Sequence, residues 1–423
     1  MPAMAQDINN DVAAADTIPA DTIAALSPED AALIAVSDSI SADTTKTLTV
    51  QERIERLLTA DLFRKSQLGL MVYDLTADTV IYAYNEQQTL RPASTNKLVT
   101  AITALDYLGE SYRYATQLRC SPQKNGTAIL TLRGGMDPRI STDDINAFIE
   151  AIKLNARDTI YGELRADRSF KDNDMLGEGW CWDDKNPVLT PMLWNRKDQL
   201  LTRLQDAIRA AHISLLPRDS IPRDSLGNIM LTINDEPITP KQFAITRYHT
   251  LDQILVKMMK DSDNLYAESL FYQIASKAAG NRTATAKHAT NVIKQLIKKI
   301  GLRPDDYRFA DGSGLSLYNY HSAEMQTMLL RYAYRNSEIY GHLYPALPIA
   351  GVDGTLKDRM KRTKAYKNVH AKTGTLTGIS SLSGYLTAQN GNTIAFAIIN
   401  QGIRRTAPAK AFQDKVCTIL CDY

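Results

Sequence analysis

The sequence predicts a mixed α/β protein of the α+β kind, a sheet covered by helices and interrupted by a long β-rich insertion. Three observations predict it. Extended apolar runs stand towards both ends of the chain, with strongly helical stretches between them. A block at 117–245 breaks that pattern with short extended runs, many turn signals and mixed polarity. The chain also has 423 residues, 44% apolar and 23% charged, an ordinary globular balance with more length than one domain needs.

Taken in order, residues 1–48 read as a flexible acidic arm rich in Ala, Asp, Thr and Ser, with a short helix expected at 28–34. Ile54, Leu57, Leu58 and Leu62 have helical spacing within 50–63. Strands are expected at 69–74 and 80–85, with Thr76-Ala77-Asp78 turning between them. Leu90-Arg91-Pro92-Ala93-Ser94 leads into a helix over 95–107, in which Leu98, Ile102 and Leu105 share a face. Ser94 therefore stands at the start of that helix. Inside the insertion, 128–133 and 229–233 read as strands. Helices follow at 251–259, 265–279 and 284–300, then a Gly-rich loop, Asp311-Gly312-Ser313-Gly314-Leu315. Strands at 369–372, 381–386 and 393–399 and a helix at 409–420 close the chain. The expected division is an arm (1–48), a main unit (49–116 with 246–423) and an insertion (117–245).

Net charge is +2, but the arm holds eight acids and one base. What remains has 48 basic and 39 acidic residues, a body of +9. That sign suits an anionic polymer, cell wall or nucleic acid, as well as plain solvation. The four cysteines, Cys120, Cys181, Cys417 and Cys421, include no C-x-x-C pair, and the six histidines no H-E-x-x-H, so neither a zinc knuckle nor a zinc peptidase is supported. Cys417 and Cys421 read as buried free thiols on one helix face. There is no G-x-x-x-x-G-K phosphate loop, and no run approaches the length of a membrane span. Ala3-Met4-Ala5 is like the end of a signal cleavage site and equally like an expression scar.

Three short motifs carry the chemistry. Ser94-Thr95-Asn96-Lys97 is an S-x-x-K at a helix start, which puts Ser94 and Lys97 one turn apart on one side. A second S-x-x-K, Ser121-Pro122-Gln123-Lys124, lies in a turn-like context and lacks that setting. Ser262-Asp263-Asn264 links two helices, and Lys372-Thr373-Gly374 ends an extended run followed by Thr375. Singly, each has a plain reading as an N-cap, an interhelix turn or a strand end. Together, in this order, they form the set of a serine acyl-transferase. A serine hydroxyl is a weak nucleophile until a base takes its proton, and Lys97 can be that base only as the neutral amine. Lys372 is the second cation that favours neutrality, and Ser262 offers a hydroxyl to relay the proton to the leaving amine. Asn264 can hold Lys97 and a substrate amide. Lys372 with Thr373 and Thr375 suits a C-terminal carboxylate, and Gly374 lets a ligand approach the strand. The backbone N–H groups of Ser94 and Thr375 are the expected oxyanion hole.

On these residues the chain resembles the D-alanyl-D-alanine carboxypeptidase/endopeptidase family of penicillin-binding proteins, the penicillin-binding protein 4 type. Ser94 and Ser262 are 168 residues apart and Ser262 and Lys372 110, and the long first gap is like that family's inserted domains. The resemblance extends through Asp311-Gly312-Ser313-Gly314-Leu315-Ser316, Gly351-Val352-Asp353-Gly354-Thr355-Leu356 and 372–385. It implies a transpeptidase-like fold with an antiparallel sheet and no metal or organic cofactor. It also implies peptidoglycan stem peptides as substrate, β-lactams as inhibitors, no nucleic-acid partner, and a periplasmic or cell-surface location. In Leu164-Arg165-Ala166-Asp167-Arg168-Ser169-Phe170, Asp167 matches a residue expected to meet the ammonium of the stem peptide's side chain. Gly177 to Trp182 is similar to a family segment, with Trp180 and Trp182 expected to pack. His370, two residues before Lys372, departs from the basic residue more often found there and reads as tolerated. A β-lactamase, which needs a carboxylate to activate the deacylating water, and a non-catalytic cell-wall-binding scaffold remain the alternatives; transpeptidation differs only in the acceptor.

Overall fold

The computed structural model describes residues 26–35, 48–123, 127–156, 159–182, 185–221, 223, 225, 232–233, 236–237 and 240–423. Most of the acidic arm and residues 229–231 of one expected strand lie outside these.

The main sheet has five antiparallel strands in the order His370–Leu376, Ile379–Thr387, Thr393–Gln401, Gln67–Asp74, Thr79–Tyr84. The first strand in the chain thus pairs with the last, Leu70 opposite Ile398, and the two ends of the fold close on each other. Alternation along Gln67–Asp74 divides the core. Leu70 and Val72 point into a cluster with Phe396, Ile398, Phe412 and Val416, under helices Val50–Leu58 and Thr406–Leu420. Met71 and Tyr73 point the other way, to a larger cluster with Leu98, Ile102, Leu265 and Leu330. Each such side chain contributes about 1.5–3 kcal/mol by leaving water. Both faces are covered, which is why the central strand Thr393–Gln401 reads as a nearly unbroken apolar run.

The helical layer comprises Asn96–Leu108, Leu251–Lys260, Asn264–Ala279, Ala286–Lys299, Ala323–Arg335 and Ser337–Ala346. Asn96–Leu108 is buried on almost every side, as a helix apolar all round must be. The expected helix at 50–63 is broken at Thr59 and Ala60 into Val50–Leu58 and Asp61–Arg64. Ala323–Arg335 and Ser337–Ala346 had no counterpart in the sequence reading. Helix Pro28–Leu33, capped by Ser27, packs beside the last helix, with Arg405 donating to Glu29 at 2.8 Å.

A second sheet takes the order Phe243–Thr250, Arg113–Pro122, Ala128–Arg133, Thr159–Asp167, Ser214–Leu216. Its first three strands are antiparallel; the last two are added in parallel. A parallel neighbour requires a crossover, and helices Thr142–Asn155 and Leu200–Ala210 supply the two. Their apolar faces (Ile145, Phe148, Ile149; Leu200, Leu204, Ile208) fill the core under this sheet. The mixed polarity of the segment had hidden both helices. No helix among the described residues is long and apolar enough to cross a membrane.

Candidate active site

Ser94 lies in a short 3-10 turn, Ala93–Thr95, that opens helix Asn96–Leu108. Ala93 before it is at φ +48, a conformation an L-residue holds only when its surroundings impose it. Buried polar contacts impose it here. Thr95 Oγ1 and Ser381 Oγ both donate to the Pro92 carbonyl, and Gln326 bridges Thr95 to Ser383 on the neighbouring strand. The turn is thereby tied to the sheet before any ligand arrives.

Lys97 is fully buried. Its Nζ is 3.0 Å from Ser94 Oγ and donates to Asn264 Oδ1 at 2.7 Å and to the Ser313 carbonyl at 2.8 Å. Lys372, equally buried on its strand, donates to Ser262 Oγ at 2.8 Å and to the Thr373 carbonyl. The two pairs meet through the turn 262–264, where Ser262 is at φ +58. Asp263 fixes that turn by capping helix Asn264–Ala279, accepting from the N–H groups of Leu265 and Tyr266.

Strand His370–Leu376 passes directly against the turn Ala93–Thr95. A Cβ on Gly374 would stand 2.7 Å from the Pro92 carbonyl oxygen and 2.9 Å from Ser94 N, so only glycine permits the approach. Thr373 Oγ1 donates to Thr355 Oγ1, while Thr375 Oγ1 is buried without a partner among the described residues. A buried hydroxyl with no partner is costly.

Asp167 is brought to none of these residues by the contacts seen. It ends strand Thr159–Asp167, accepts from Ser169 N at 2.9 Å and lies 3.9 Å from Arg133. Desolvation opposes its charge, but Ser169 and the nearby Arg133 and Arg119 outweigh it and hold the carboxyl below its ordinary range. His370 stacks on Tyr344 at 4.2 Å; burial, then Lys260, pushes its pKa down, in keeping with a neutral packing role. Trp180 donates to Asp311 Oδ2, whereas Trp182, expected to pack, is 85% exposed.

Several contributors escaped the motif reading. Arg196, from the second-sheet segment, forms a bidentate pair with Asp263 at 2.7 and 3.1 Å. Lys260 holds both oxygens of Asp353 and the Leu347 carbonyl, pinning 351–356 against the turn at 262. Glu268, buried one helical turn after Asn264, accepts from the N–H groups of Gly312 and Ser313. Its spacing from Asn264 was the available signal. Cys417 and Cys421 are buried free thiols, and burial pushes Cys421 up to about 11. Among the described residues no three His, Cys, Asp or Glu side chains are gathered as a metal site would need.

An antiparallel sheet packed on a buried helix that opens with serine and lysine, with a second serine and lysine joined to them through the turn 262–264, defines a serine acyl-transferase of the transpeptidase type. The chain belongs to the D-Ala-D-Ala carboxypeptidase 3 (S13) family, whose family model matches residues 50–192 and 227–421. By that membership it is a serine-type D-Ala-D-Ala carboxypeptidase, a hydrolase. It is 28% identical to the D-alanyl-D-alanine carboxypeptidase of Actinomadura sp. (strain R39), covering 88% of this chain and 85% of the relative. To the D-alanyl-D-alanine carboxypeptidase DacB of Haemophilus influenzae it is 26% identical, covering 80% and 86%. Among solved structures, it matches penicillin binding protein 4 (dacB) from H. influenzae with a TM-score of 0.69 at 23% identity, covering 85% of this chain and 97% of that one.

Proposed function

We propose that this peptidase hydrolyses the terminal D-alanyl-D-alanine bond of peptidoglycan stem peptides, and crosslinks of the same chemistry, through an acyl-enzyme at Ser94, and that penicillins acylate the same serine. The observation that carries this is the placement of Lys97 Nζ. Two of its hydrogen-bonding positions are taken by Asn264 and Ser313, and the third is aimed at Ser94 Oγ. In the neutral amine the two N–H groups serve the fixed acceptors and the lone pair faces the hydroxyl, the arrangement of a general base, worth about 10²–10⁴ in rate.

Ser94 Oγ attacks the carbonyl carbon of the penultimate D-alanine as its proton passes to Lys97. The oxygen that becomes negative is met by the N–H groups of Ser94 and Thr375, each such donor being worth about 10²–10³. Collapse breaks the C–N bond. The proton returns through Lys97 and the Ser262 hydroxyl, held by Lys372, to the leaving amine, and D-alanine departs. Water then opens the ester and regenerates Ser94. Lys372, Thr373 and the unpartnered Thr375 hydroxyl receive the terminal carboxylate, and Asn264 steadies the peptide amide. Asp167 is assigned the ammonium of the stem peptide's side chain. Residues 49–116 with 246–423 form the catalytic unit in this reading, 117–245 the inserted one, and the enzyme works in the periplasm or at the cell surface.

Support for β-lactam acylation comes from a solved relative, H. influenzae penicillin binding protein 4, which was crystallised with a β-lactam. Against the β-lactamase reading, the buried carboxylates Glu268 and Asp311 are both occupied by loop N–H groups rather than presented to a water. The test is the intact mass of the protein after mixing with penicillin, beside Ser94→Ala. The expected result is a long-lived adduct on the wild type alone. An equal adduct on both proteins, or none on folded wild type, rejects Ser94.

A further inference from the structure

Asn264 and Glu268 lie four residues apart on helix Asn264–Ala279 and project from one face. Asn264 touches Lys97 directly. Glu268 touches the loop 311–314 that supplies the second acceptor for Lys97. Three successive N–H groups of this loop turn inward, Gly312 and Ser313 to Glu268 and Gly314 to Asp311 Oδ1. With those donors held, three successive carbonyls face helix Asn96–Leu108. Asp311 O accepts from Asn96 Nδ2 at 2.9 Å, Gly312 O from Thr100 Oγ1 at 2.7 Å and Ser313 O from Lys97 Nζ at 2.8 Å. Remove the carboxylate and nothing else described here holds the Gly312 and Ser313 N–H groups inward.

We propose that Glu268 is a positioning residue for the acylation of Ser94: it holds the loop that fixes Lys97 Nζ, and its charge sets how readily Lys97 takes a proton. This rests on the acyl-enzyme reading above. The charged and titratable groups around Glu268 are Asp311 on the loop, Tyr272 one turn along its own helix, and Lys97 on the nucleophile helix, one carbonyl away. Burial, and then the neighbouring Asp311, push the Glu268 carboxyl up to about 8 although the loop N–H groups pull it down. Near neutrality it is mostly protonated and still accepts the loop donors. As pH rises through that value a second negative charge appears beside the loop. That charge favours the ammonium form of Lys97, which cannot accept the Ser94 proton.

The experiment compares wild type, Glu268→Gln and Glu268→Ala. It reads the rate constant of penicillin acylation from pH 6 to 10, kcat and KM for D-alanine release from a stem peptide, and thermal unfolding. The wild-type rate should fall relative to Glu268→Gln by about 3–10-fold, centred near pH 8. Glu268→Ala should lose about 100-fold in acylation through misplacement of the base, with kcat falling more than KM changes. A purely structural role would lower both variants in parallel with Tm at every pH. A wild-type profile without an inflection near pH 8, a flat wild-type to Gln ratio, or a folded Ala variant with wild-type acylation overturns the inference while leaving Ser94 in place. Folded wild type that takes no penicillin overturns the acyl-enzyme reading and this one with it.

Discussion

Gly314 and Ala93 are in backbone contact: a Cβ on Gly314, itself at φ +82, would stand 1.9 Å from the Ala93 carbonyl oxygen. Ala93 is the residue whose left-handed backbone presents Ser94. Neither side of this contact is a flexible side-chain end, so neither can yield cheaply. Gly314→Ala should therefore cost more than about 3 kcal/mol and abolish penicillin acylation together. Thermal unfolding and intact mass check it, and a variant with wild-type Tm and adduct would disprove the contact.

Ser262→Ala removes the hydroxyl that Lys372 holds but leaves Lys97 beside Ser94. Loss of the relay should lower D-alanine release by about 10²–10⁴, with stability within about 1 kcal/mol of wild type. Steady-state kinetics on a stem peptide measures this. An unchanged kcat would remove Ser262 from the proton path.

Arg196→Ala separates the two effects of Asp263. The guanidinium is partly exposed, so its loss should cost at most about 1 kcal/mol. Asp263→Ala also removes the cap of helix Asn264–Ala279, worth about 0.5–2 kcal/mol. The order of stability expected in urea unfolding is wild type, Arg196→Ala, Asp263→Ala. The reverse order of the two variants would contradict it.

Two histidines give opposite pH signatures. The hydrogen bond to Asp137 at 2.6 Å raises the His249 pKa above 6.5. Its stabilisation is complete below 6.5 and is lost as pH rises through the folded value. His321 is buried with neither ring nitrogen partnered among the described residues, and burial lowers it to about 3. The folded state then resists protonation that the unfolded chain accepts, so stability falls as pH drops from 6.5 towards 3. The Tm gap between wild type and His249→Gln should shrink from pH 6 to 9. His321→Phe should flatten the acid side of the wild-type curve. Parallel curves for either pair would refute the corresponding assignment.

Asp167→Asn should raise KM for a stem peptide carrying a side-chain ammonium by about 5–10-fold and leave a peptide lacking it unchanged. Equal effects on the two substrates would return Asp167 to the surface turn it makes with Ser169.

Much of this site was legible in sequence because its chemistry depends on residue type at short spacing. Ser94 and Lys97 are one helical turn apart, and Lys372 and Gly374 belong to one strand. What escaped depends on long-range contact. Nothing local marks Thr355 as the partner of Thr373, 18 residues on, or Arg196 as the partner of Asp263. Glu268 stands one helical turn from Asn264, but its partners, the Gly312 and Ser313 N–H groups, lie 44 and 45 residues further along the chain. The main sheet was legible from its apolar runs, and its closure by pairing of the first strand with the last was not. Helices Thr142–Asn155 and Leu200–Ala210 carry apolar residues at helical spacing, Ile145, Phe148 and Ile149 in one and Leu200, Leu204 and Ile208 in the other, and were missed because the turn signals and short extended runs around them set the reading of the whole segment.

The segment between the first two motifs does more than lengthen the chain. Through Arg196 it grips Asp263, and through Trp180 it grips Asp311, the two acidic residues that organise the turn and the loop on either side of Lys97. The candidate site is therefore not modular. A shortened enzyme with this segment excised would have to evolve two replacement struts before its lysine was again well aimed. By the same logic, a displacement of this segment is carried through Arg196 and Trp180 to the turn and the loop that hold Lys97.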